Sequence, residues 1–235
     1  SLLQPKMAKR IEKNTRKEFP DGIRAYGTDA LRFTFYSIAT RSRTIRFDMN
    51  RVEGYRNFCN KLWNAANFVF INTEDCDLTN KTVRPDVVDR WIVTELNHTV
   101  NVICEAMDTF RFDIAAKAIY EFIWDEFCDW YVELTKPILN VKDIDADIIH
   151  AKRITLLSVL EQTLRLAHPF LPFMTEEIWQ QIPQNIRGSG QAIMREDYPV
   201  SDPSLIDLAA KADVAWIKDV VSGIRNIRGE MDISQ

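Results

Sequence analysis

The chain has 235 residues, of which 46% are hydrophobic and 27% charged. This balance is ordinary for a globular protein of one or two domains, and it excludes a disordered or collagen-like chain. Its 7 glycines are roughly 3% of the sequence against a usual ~7%. That is too few for the turns of a many-stranded β-sandwich or for repeated phosphate loops, so a mostly helical fold is favoured.

The formal net charge of −4 is unevenly distributed along the chain. Residues 1–61 contain 14 Lys+Arg and 6 Asp+Glu, a net of +8, whereas the remainder has 16 basic and 28 acidic residues, a net of −12. A basic segment of that size can neutralise a run of phosphates while the acidic part keeps the molecule soluble. A solvated basic helix would have the same composition, so charge alone leaves nucleic-acid binding open.

The first half of the chain predicts a basic arm followed by two helices. Residues 6–17 are strongly cationic and read as an exposed basic helix or arm, which ends in a turn at 19–22. Thr28 and Asp29 can cap the next helix. Asp48 is a plausible N-cap for a long helix whose apolar positions recur at steps of three and four, and whose other positions are unusually rich in Asn, Lys and Arg.

The second half predicts further amphipathic helices with short connections. They cover about 86–107, 111 to a stop at Pro137, 144–168, a short stretch around Ile178 and Trp179, and 208–231. The segment 183–203, which contains Pro, Gly and Ser, is the best candidate for a boundary or linker. Five or six such helices indicate an all-α fold, an antiparallel helical bundle.

Signatures of catalysis, metal binding and export are missing from the sequence. It contains no GxGxxG, GxxxxGK[ST], HExxH or GxSxG motif, which favours a binding module. The four cysteines are 17, 28 and 24 residues apart, too far for a zinc knuckle or a redox CxxC pair. No apolar run approaches the ~18 residues of a membrane span, and no signal peptide is apparent. We therefore expect a reduced, cytoplasmic protein with no catalytic residue.

One cluster of carboxylates leaves a metal site open as an alternative. Helical spacing puts Asp125, Asp129 and Glu133 on one face, as in a di-metal carboxylate site. Such bundle sites also use Glu-x-x-His pairs, which this chain lacks, so a solvated or arginine-paired face is favoured and no metal ligand is predicted. The aromatic residues of the same stretch are expected in the core, with one or two available to stack an unpaired base.

Several motifs together resemble the class I aminoacyl-tRNA synthetases, in particular the valyl subgroup. The resemblance extends from about residue 6 to residue 233 and is carried by GTDALRF at 27–33, NFCNKLWNA at 57–65, FCDWY at 127–131, ELTKP at 133–137, LAHPFLPF at 166–173 and RNIRGEM at 225–231. The run KMAKR at 6–10 is similar to the ATP-gripping KMSKS loop, but the residues after it differ and a basic helix is predicted there.

The resemblance implies that the chain is a C-terminal piece of such an enzyme. Residues 1–47 would be the end of the catalytic region, which touches the inside corner of the tRNA, and 48–182 the helical anticodon-binding domain. Residues 183–235 would be a linker and a terminal helix. The full-length enzyme would use ATP with Mg²⁺ to attach valine to its tRNA. The piece itself would bind valine tRNA without cofactor or catalysis, as a monomer, with an apolar patch exposed near residues 28–40.

The resemblance also implies which residues of this sequence contact RNA. Anticodon contacts fall on a mixed set of cationic, amide, aromatic, aliphatic and acidic side chains: Arg46, Asn64, Asn67, Phe68, Val132 and Glu133. Phe68 would stack a base, and Val132 would form an apolar wall. Asn64, Asn67 and Glu133 would bond base edges, while Arg46 would bond a base or a phosphate. Arg41 and Arg43 would neutralise phosphates. This chain has Asn50 and Asn67 where other members have arginine, and Arg51 lies beside the first.

Two alternatives stay open at this point. The isoleucyl and leucyl synthetases share the layout, and the identity of the tRNA that competes would separate them from the valyl subgroup. A helical scaffold that binds only protein would bind its partner without the steep salt dependence of phosphate contacts.

Overall fold

The computed structural model describes residues 5–40, 47–74, 76, 84–140, 144–188 and 190–232, with the side chains of 5 and 6 left out. Within these ranges the chain forms helices and no strand. The α-helices are α1 (Pro5–Glu18), α2 (Thr28–Ile38), α3 (Met49–Thr73), α4 (Val87–Asp108), α5 (Phe112–Glu121), α6 (Val132–Asn140), α7 (Ala146–Ala167), α8 (Pro172–Trp179), α9 (Gln184–Arg187) and α10 (Leu208–Glu230). A π-helical segment (Phe122–Tyr131) joins α5 to α6.

Four of the long helices begin at an aspartate whose side chain accepts a backbone N–H of the first turn. Asp48 accepts from Asn50 at 2.9 Å, as the sequence predicts for α3. Asp86 forms a capping box at the start of α4, and Asp145 and Asp207 cap α7 and α10. These caps satisfy donors that the helix itself leaves free, so helix starts are fixed locally.

The helices pack as a bundle around one apolar core, which confirms the predicted all-α fold. Phe33 of α2 is fully buried, with its ring centroid 4.7 Å from Tyr55 and 5.1 Å from Phe58, both on α3. Phe170, just before α8, lies 6.2 Å from the same ring. Because α2 contributes to the shared core, the packed bundle already includes residue 28. It does not start at the boundary expected near residue 48.

Asp29 caps a different helix from the one predicted. The residue before α2 is Gly27, whose φ of 91° is a conformation that favours glycine, and α2 has no side-chain cap. Asp29 instead accepts the backbone N–H of Met174 at 2.7 Å and that of Phe173 at 3.4 Å. These donors belong to the first turn of α8, so a carboxylate distant in sequence joins α2 to the start of α8.

The helix that starts at Phe112 continues through the π-helical segment to Asn140, so the predicted stop at Pro137 was wrong by three residues. Along the π segment and into the first residue of α6, Phe122, Phe127 and Val132 are all buried, at five-residue steps. This spacing fits the i→i+5 winding of a π-helix, in which residues five apart share a face. Pro137 has no N–H to donate to the preceding turn, and only three residues of helix follow it.

The segment between α8 and α10 is docked on the bundle and is not a free linker, contrary to the expectation for 183–203. The backbone N–H of Ile193 donates to Glu176 at 3.0 Å, and the Tyr198 hydroxyl donates to the Leu166 carbonyl at 2.9 Å. Ile193 itself is 2% exposed. The segment is held by the burial of Ile193 and by hydrogen bonds to α7 and α8, contacts that its Pro and Gly content does not reveal.

α1 is exposed along residues 7–18, as predicted for the basic arm. The run resembling a KMSKS loop therefore lies in a helix. The apolar patch expected near 28–40 is present in part, because Leu31 is 39% and Phe35 53% exposed one helical turn apart on α2. No helix of the described residues is long and apolar enough to cross a membrane.

Candidate nucleic-acid interface

The second half of α3 and the start of α6 form a polar surface that we call the α3–α6 seam, consisting of Asn64, Asn67, Phe68, Glu133 and Lys136. On α3, Asn64 is exposed, whereas Asn67 and Phe68 are half-buried. Positions three and four apart share a helix face, so these three side chains are neighbours. The Phe68 ring packs on the core by one side, which leaves the other part of the ring at the surface.

α6 brings a charged pair to the same place. Lys136 Nζ donates to Glu133 Oε1 at 2.6 Å, with the lysine side chain 41% and the glutamate side chain 51% exposed. The same ammonium lies 5.7 Å from the ring centroid of Phe68. The structure thus brings together Asn64, Phe68 and Glu133, which are up to 69 positions apart in the sequence. The seam combines an aromatic face, amides, a carboxylate and a cation, the groups that read unpaired bases.

Other predicted contacts are placed differently. Val132 is 5% exposed and belongs to the core, so almost none of its side chain is open to a base. Its burial follows from the five-residue step of the π segment, which turns Val132 inward beside Glu133. The predicted phosphate contacts Arg41 and Arg43, and the predicted anticodon contact Arg46, lie outside the described residues. Asn50 lies in the first turn of α3, and its backbone N–H donates to Asp48.

A lysine clamp fixes α3 against the π segment one turn before the seam. Lys61 Nζ donates to Asp129 Oδ1 at 2.6 Å and lies 3.7 Å from the ring centroid of Trp124. The lysine side chain is 21% exposed, so this cation–π contact is partly desolvated and correspondingly stronger. Because the clamp joins two helices, it sets the register in which the two sides of the seam meet.

Two carboxylates of the π segment are paired with cations, but the partners are lysines and not the arginines that the sequence predicted. Asp129 pairs with Lys61, and Glu126 accepts a short hydrogen bond from Lys218 of α10. Partial burial, with the neighbouring carboxylates of Asp129 and Glu121, raises the pKa of Asp125 above its usual value. Among the described residues, no three His, Cys, Asp or Glu side chains are grouped so as to hold a metal ion.

A buried charge network lies behind the seam. Lys152 of α7 has a 1% exposed side chain, and its Nζ donates to Asp86 Oδ2 at 2.7 Å and to Asp89 Oδ1 at 2.8 Å. The hydroxyl of Tyr131, the last residue of the π segment, donates to Asp89 Oδ1 at 2.7 Å. Tyr131 directly precedes Val132 and Glu133. The network therefore anchors the point where the seam's α6 side begins.

The pKa values of the two carboxylates in the network are shifted in opposite directions. Burial raises the pKa of Asp89 above its ordinary value, and the Lys152 ammonium and the Tyr131 hydroxyl only partly oppose it. Burial also acts on Asp86, but there hydrogen bonds from Lys152 and from backbone N–H groups outweigh it and lower the pKa. The difference follows from exposure, since the Asp86 side chain is 33% and the Asp89 side chain 1% exposed.

α10 adds cations on another side of the π segment. Lys218 Nζ lies 4.4 Å from the ring centroid of Trp91 and 5.5 Å from that of Trp130. The Arg225 guanidinium lies 5.4 Å from the Trp130 ring. Both tryptophans are thus covered by cations from α10. Of the aromatic residues proposed for base stacking, Phe68 therefore offers the more accessible face.

The cleft with the largest volume among the described residues has the wrong charge for RNA. It encloses about 1000 Å³ between α4, α7 and residues 200–208. Its charged lining consists of Asp89, Asp202 and Asp207 against Arg90, and Arg90 Nε already donates to Asp207 at 2.8 Å. A net negative lining repels phosphate. The seam instead presents an aromatic ring, amides and an ammonium, which suit an unpaired base and its phosphate.

The polar positions of α3 are divided between two faces. Arg56, Asn60 and Trp63 line a second cleft of about 610 Å³ beside α2 and α8, away from α6. The sequence predicted Trp63 on the apolar stripe of this helix and did not separate Arg56 and Asn60 from Asn64 and Asn67, and Lys136 was not among the predicted contacts. The signal that could have found Lys136 is the Glu-x-x-Lys spacing from Glu133, which predicts an ion pair on one helix face.

Two comparisons with known proteins bear on the fold and family of this chain. Residues 89–235 match the family model described as the anticodon-binding domain of tRNA ligase. The fold is similar to the agnB2 leucyl-tRNA synthetase of Agrobacterium radiobacter K84, solved as a ternary complex with tRNA and LeuAMS. That match has a TM-score of 0.55 and 16% sequence identity, and it covers 83% of this chain and 21% of the solved chain. At this identity the likeness shows the fold alone, and this chain spans about a fifth of that protein.

Proposed function

The chain belongs to the family of tRNA ligase anticodon-binding domains, and from that premise we propose that it binds the anticodon loop of valine tRNA through the α3–α6 seam. The observation that carries this proposal is the convergence of Phe68 and Glu133 on one ammonium, Lys136, at 5.7 and 2.6 Å. A stacking face beside hydrogen-bonding side chains is the arrangement that reads splayed single-stranded bases. Valine, as the amino acid, is proposed from the motif resemblance.

Each member of the seam has a distinct role in this proposal. Phe68 stacks a base, and the Asn64 and Asn67 amides bond base edges with both donor and acceptor groups. Glu133 accepts hydrogen bonds from base amino groups. Val132 supports these contacts from the core and does not touch the base, because its side chain is 5% exposed.

The basic N-terminal part supplies affinity without sequence preference. The exposed helix α1 and the arginines at 41 and 43 would contact phosphates near the inside corner of the tRNA, whereas Arg46 would contact the anticodon. Replacing Arg41 and Arg43 with glutamine is expected to weaken binding to any RNA and to flatten the dependence of affinity on salt. An effect confined to one anticodon sequence would contradict the assignment of these arginines to phosphates.

The parent enzyme, in this proposal, is a cytoplasmic valine-tRNA ligase that uses ATP with Mg²⁺ elsewhere in its sequence. This chain contributes binding and positioning and carries no catalytic residue. We expect the purified chain, as a monomer, to show no valine-dependent exchange of pyrophosphate into ATP. Measurable exchange above a buffer control would contradict this assignment.

The decisive experiment is a titration of the 235-residue chain with an anticodon stem-loop of valine tRNA at two salt concentrations. The control is the same stem-loop with its middle anticodon base changed. Preferential binding that weakens with salt is the expected result. Equal binding to both loops would leave only phosphate affinity, and no binding at low salt would favour a protein-interaction scaffold.

Leucyl or isoleucyl specificity is the alternative within the same family. Competition separates the three possibilities, because the cognate stem-loop displaces a labelled one at lower concentration. We expect the valine stem-loop to compete best. If a leucine or isoleucine stem-loop competed better, we would assign the seam to recognition of that tRNA.

A further inference from the structure

One cation lies where the aromatic face and the carboxylate of the seam meet. Lys136 Nζ is 2.6 Å from Glu133 Oε1 and 5.7 Å from the Phe68 ring centroid. While Lys136 stays on Glu133, the pair is neutral and adds no attraction for phosphate. The Glu133 carboxylate also accepts a hydrogen bond from this lysine, which leaves fewer acceptor positions for a base.

The pair that holds Lys136 differs from the clamp formed by Lys61. Lys61 joins two helices, is 21% exposed and contacts both Asp129 and Trp124. Lys136 and Glu133 lie three residues apart on the same helix, and both side chains are near half exposed. An exposed pair within one helix is weak in water and holds no helices together, so Lys136 can change partners without disturbing the fold.

We propose that Lys136 is a phosphate contact that leaves Glu133 for the backbone of the nucleotide whose base stacks on Phe68. This inference rests on the proposed function. A base on the Phe68 face brings its own phosphate near the ammonium, which already lies beside that ring. The flexible four-carbon stem of lysine lets its charge follow the phosphate as a point contact.

The exchange also changes what Glu133 can do. Once Lys136 has moved, both carboxylate oxygens of Glu133 can accept hydrogen bonds from base amino groups. Movement of Lys136 thus serves two contacts beside the base stacked on Phe68. It neutralises a phosphate, and it frees Glu133 to read a base edge. Glu133 is expected to carry sequence preference, whereas Lys136 carries salt dependence.

The test compares Lys136→Met with the unmodified chain by stem-loop titration over a series of salt concentrations. Methionine keeps an apolar stem against Phe68 and removes the charge. Loss of one phosphate contact is expected to lower the slope of log affinity against log salt by about 0.7, the value for single strands. Affinity should fall by the same factor for the matched stem-loop and for the loop with a changed middle base. Lys136→Arg, which keeps the charge, should retain the slope.

Lys117→Met is the matched control. Lys117 also pairs with a carboxylate of its own helix, Glu121, at 3.5 Å, but it lies on α5, 19 residues before Lys136. At about 1.5 Å per residue the two lysines are separated by roughly 28 Å along the axis. The control variant should keep the full salt slope, and circular dichroism should show all variants equally helical.

The possible outcomes separate this inference from the function on which it rests. If the unmodified chain binds with salt sensitivity and Lys136→Met has the same slope, Lys136 is only a surface partner of Glu133 and the inference is wrong. A loss confined to the matched loop would also overturn it, because Lys136 would then act on base reading. If the unmodified chain does not bind the stem-loop, the proposed function fails, and the inference fails with it.

Discussion

Removal of the buried ammonium by Lys152→Met tests the network that anchors the seam. The Lys152 and Asp89 side chains are each 1% exposed, and the lysine bonds both Asp86 and Asp89 within 2.8 Å. Loss of one partner of a buried ion pair costs about 3–5 kcal/mol, because the other charge stays buried. We expect about 3 kcal/mol, since Asp86 is 33% exposed and Tyr131 still donates to Asp89.

Urea unfolding followed by far-ultraviolet circular dichroism measures this loss. With a slope near 3 kcal/mol per molar for a chain of this size, the midpoint should fall by about 1 M. Tyr131→Phe should give a smaller loss of about 1.5–3 kcal/mol, because it removes one hydrogen bond to a charged group. It also serves as the test if Lys152→Met does not fold. Lys117→Met, which removes an exposed pair, should change stability by about 0.5 kcal/mol or less.

The unfolding free energy lost in Lys152→Met should depend on pH. Burial already raises the pKa of Asp89, so its folded form binds a proton more readily than its unfolded form. Without Lys152 this preference increases, and protonation of Asp89 relieves the unpaired charge. The difference in unfolding free energy between the variant and the original should therefore be largest at neutral pH and shrink as pH falls towards the raised pKa. An unchanged midpoint, or an equal loss at pH 7.5 and pH 5, would refute the reasoning.

Three further outcomes are expected. Phe68→Ala should weaken stem-loop binding by roughly 1–3 kcal/mol if a base stacks there, and an unfolded variant would instead identify Phe68 as a core residue. Asp29→Ala should lower the urea midpoint by the equivalent of about 1 kcal/mol, because it removes the cap of α8; an unchanged midpoint would show that water replaces the carboxylate. Burial raises the pKa of Cys59 and Cys128 to about 12, so both should react slowly with a thiol reagent at pH 8 until urea is added. Rapid reaction of all four thiols in the folded chain would contradict this.

The positions of most helices could be predicted because they depend on local chemistry. The cap at Asp48 involves a donor two residues away, and the apolar period of α3 repeats every three to four residues. Prediction was wrong at Asp29, where the carboxylate's partners lie 144 and 145 residues away. It also failed at Pro137, since the π winding before it does not follow the α period. Both failures concern contacts or winding that a local pattern does not encode.

Only some residues of the candidate site could be named from the sequence. Phe68, Asn64 and Glu133 were named from motif resemblance, and the structure brings them to one seam. Val132 was expected at the surface, but the five-residue step of the π segment buries it. Lys136 was missed because its nearness to Phe68 depends on how α6 lies against α3, which no spacing within either helix determines.

The sequence by itself determined the helices, the caps that lie directly before the helix they start, and the separation of basic from acidic halves. These properties depend on residues within one or two turns and on composition. Only the tertiary structure decided which face of α3 meets α6, which lysines are clamps and which can exchange partners, and that Lys152 is buried between two aspartates. Such features depend on long-range packing, where a side chain's role is set by the partners that the fold places around it.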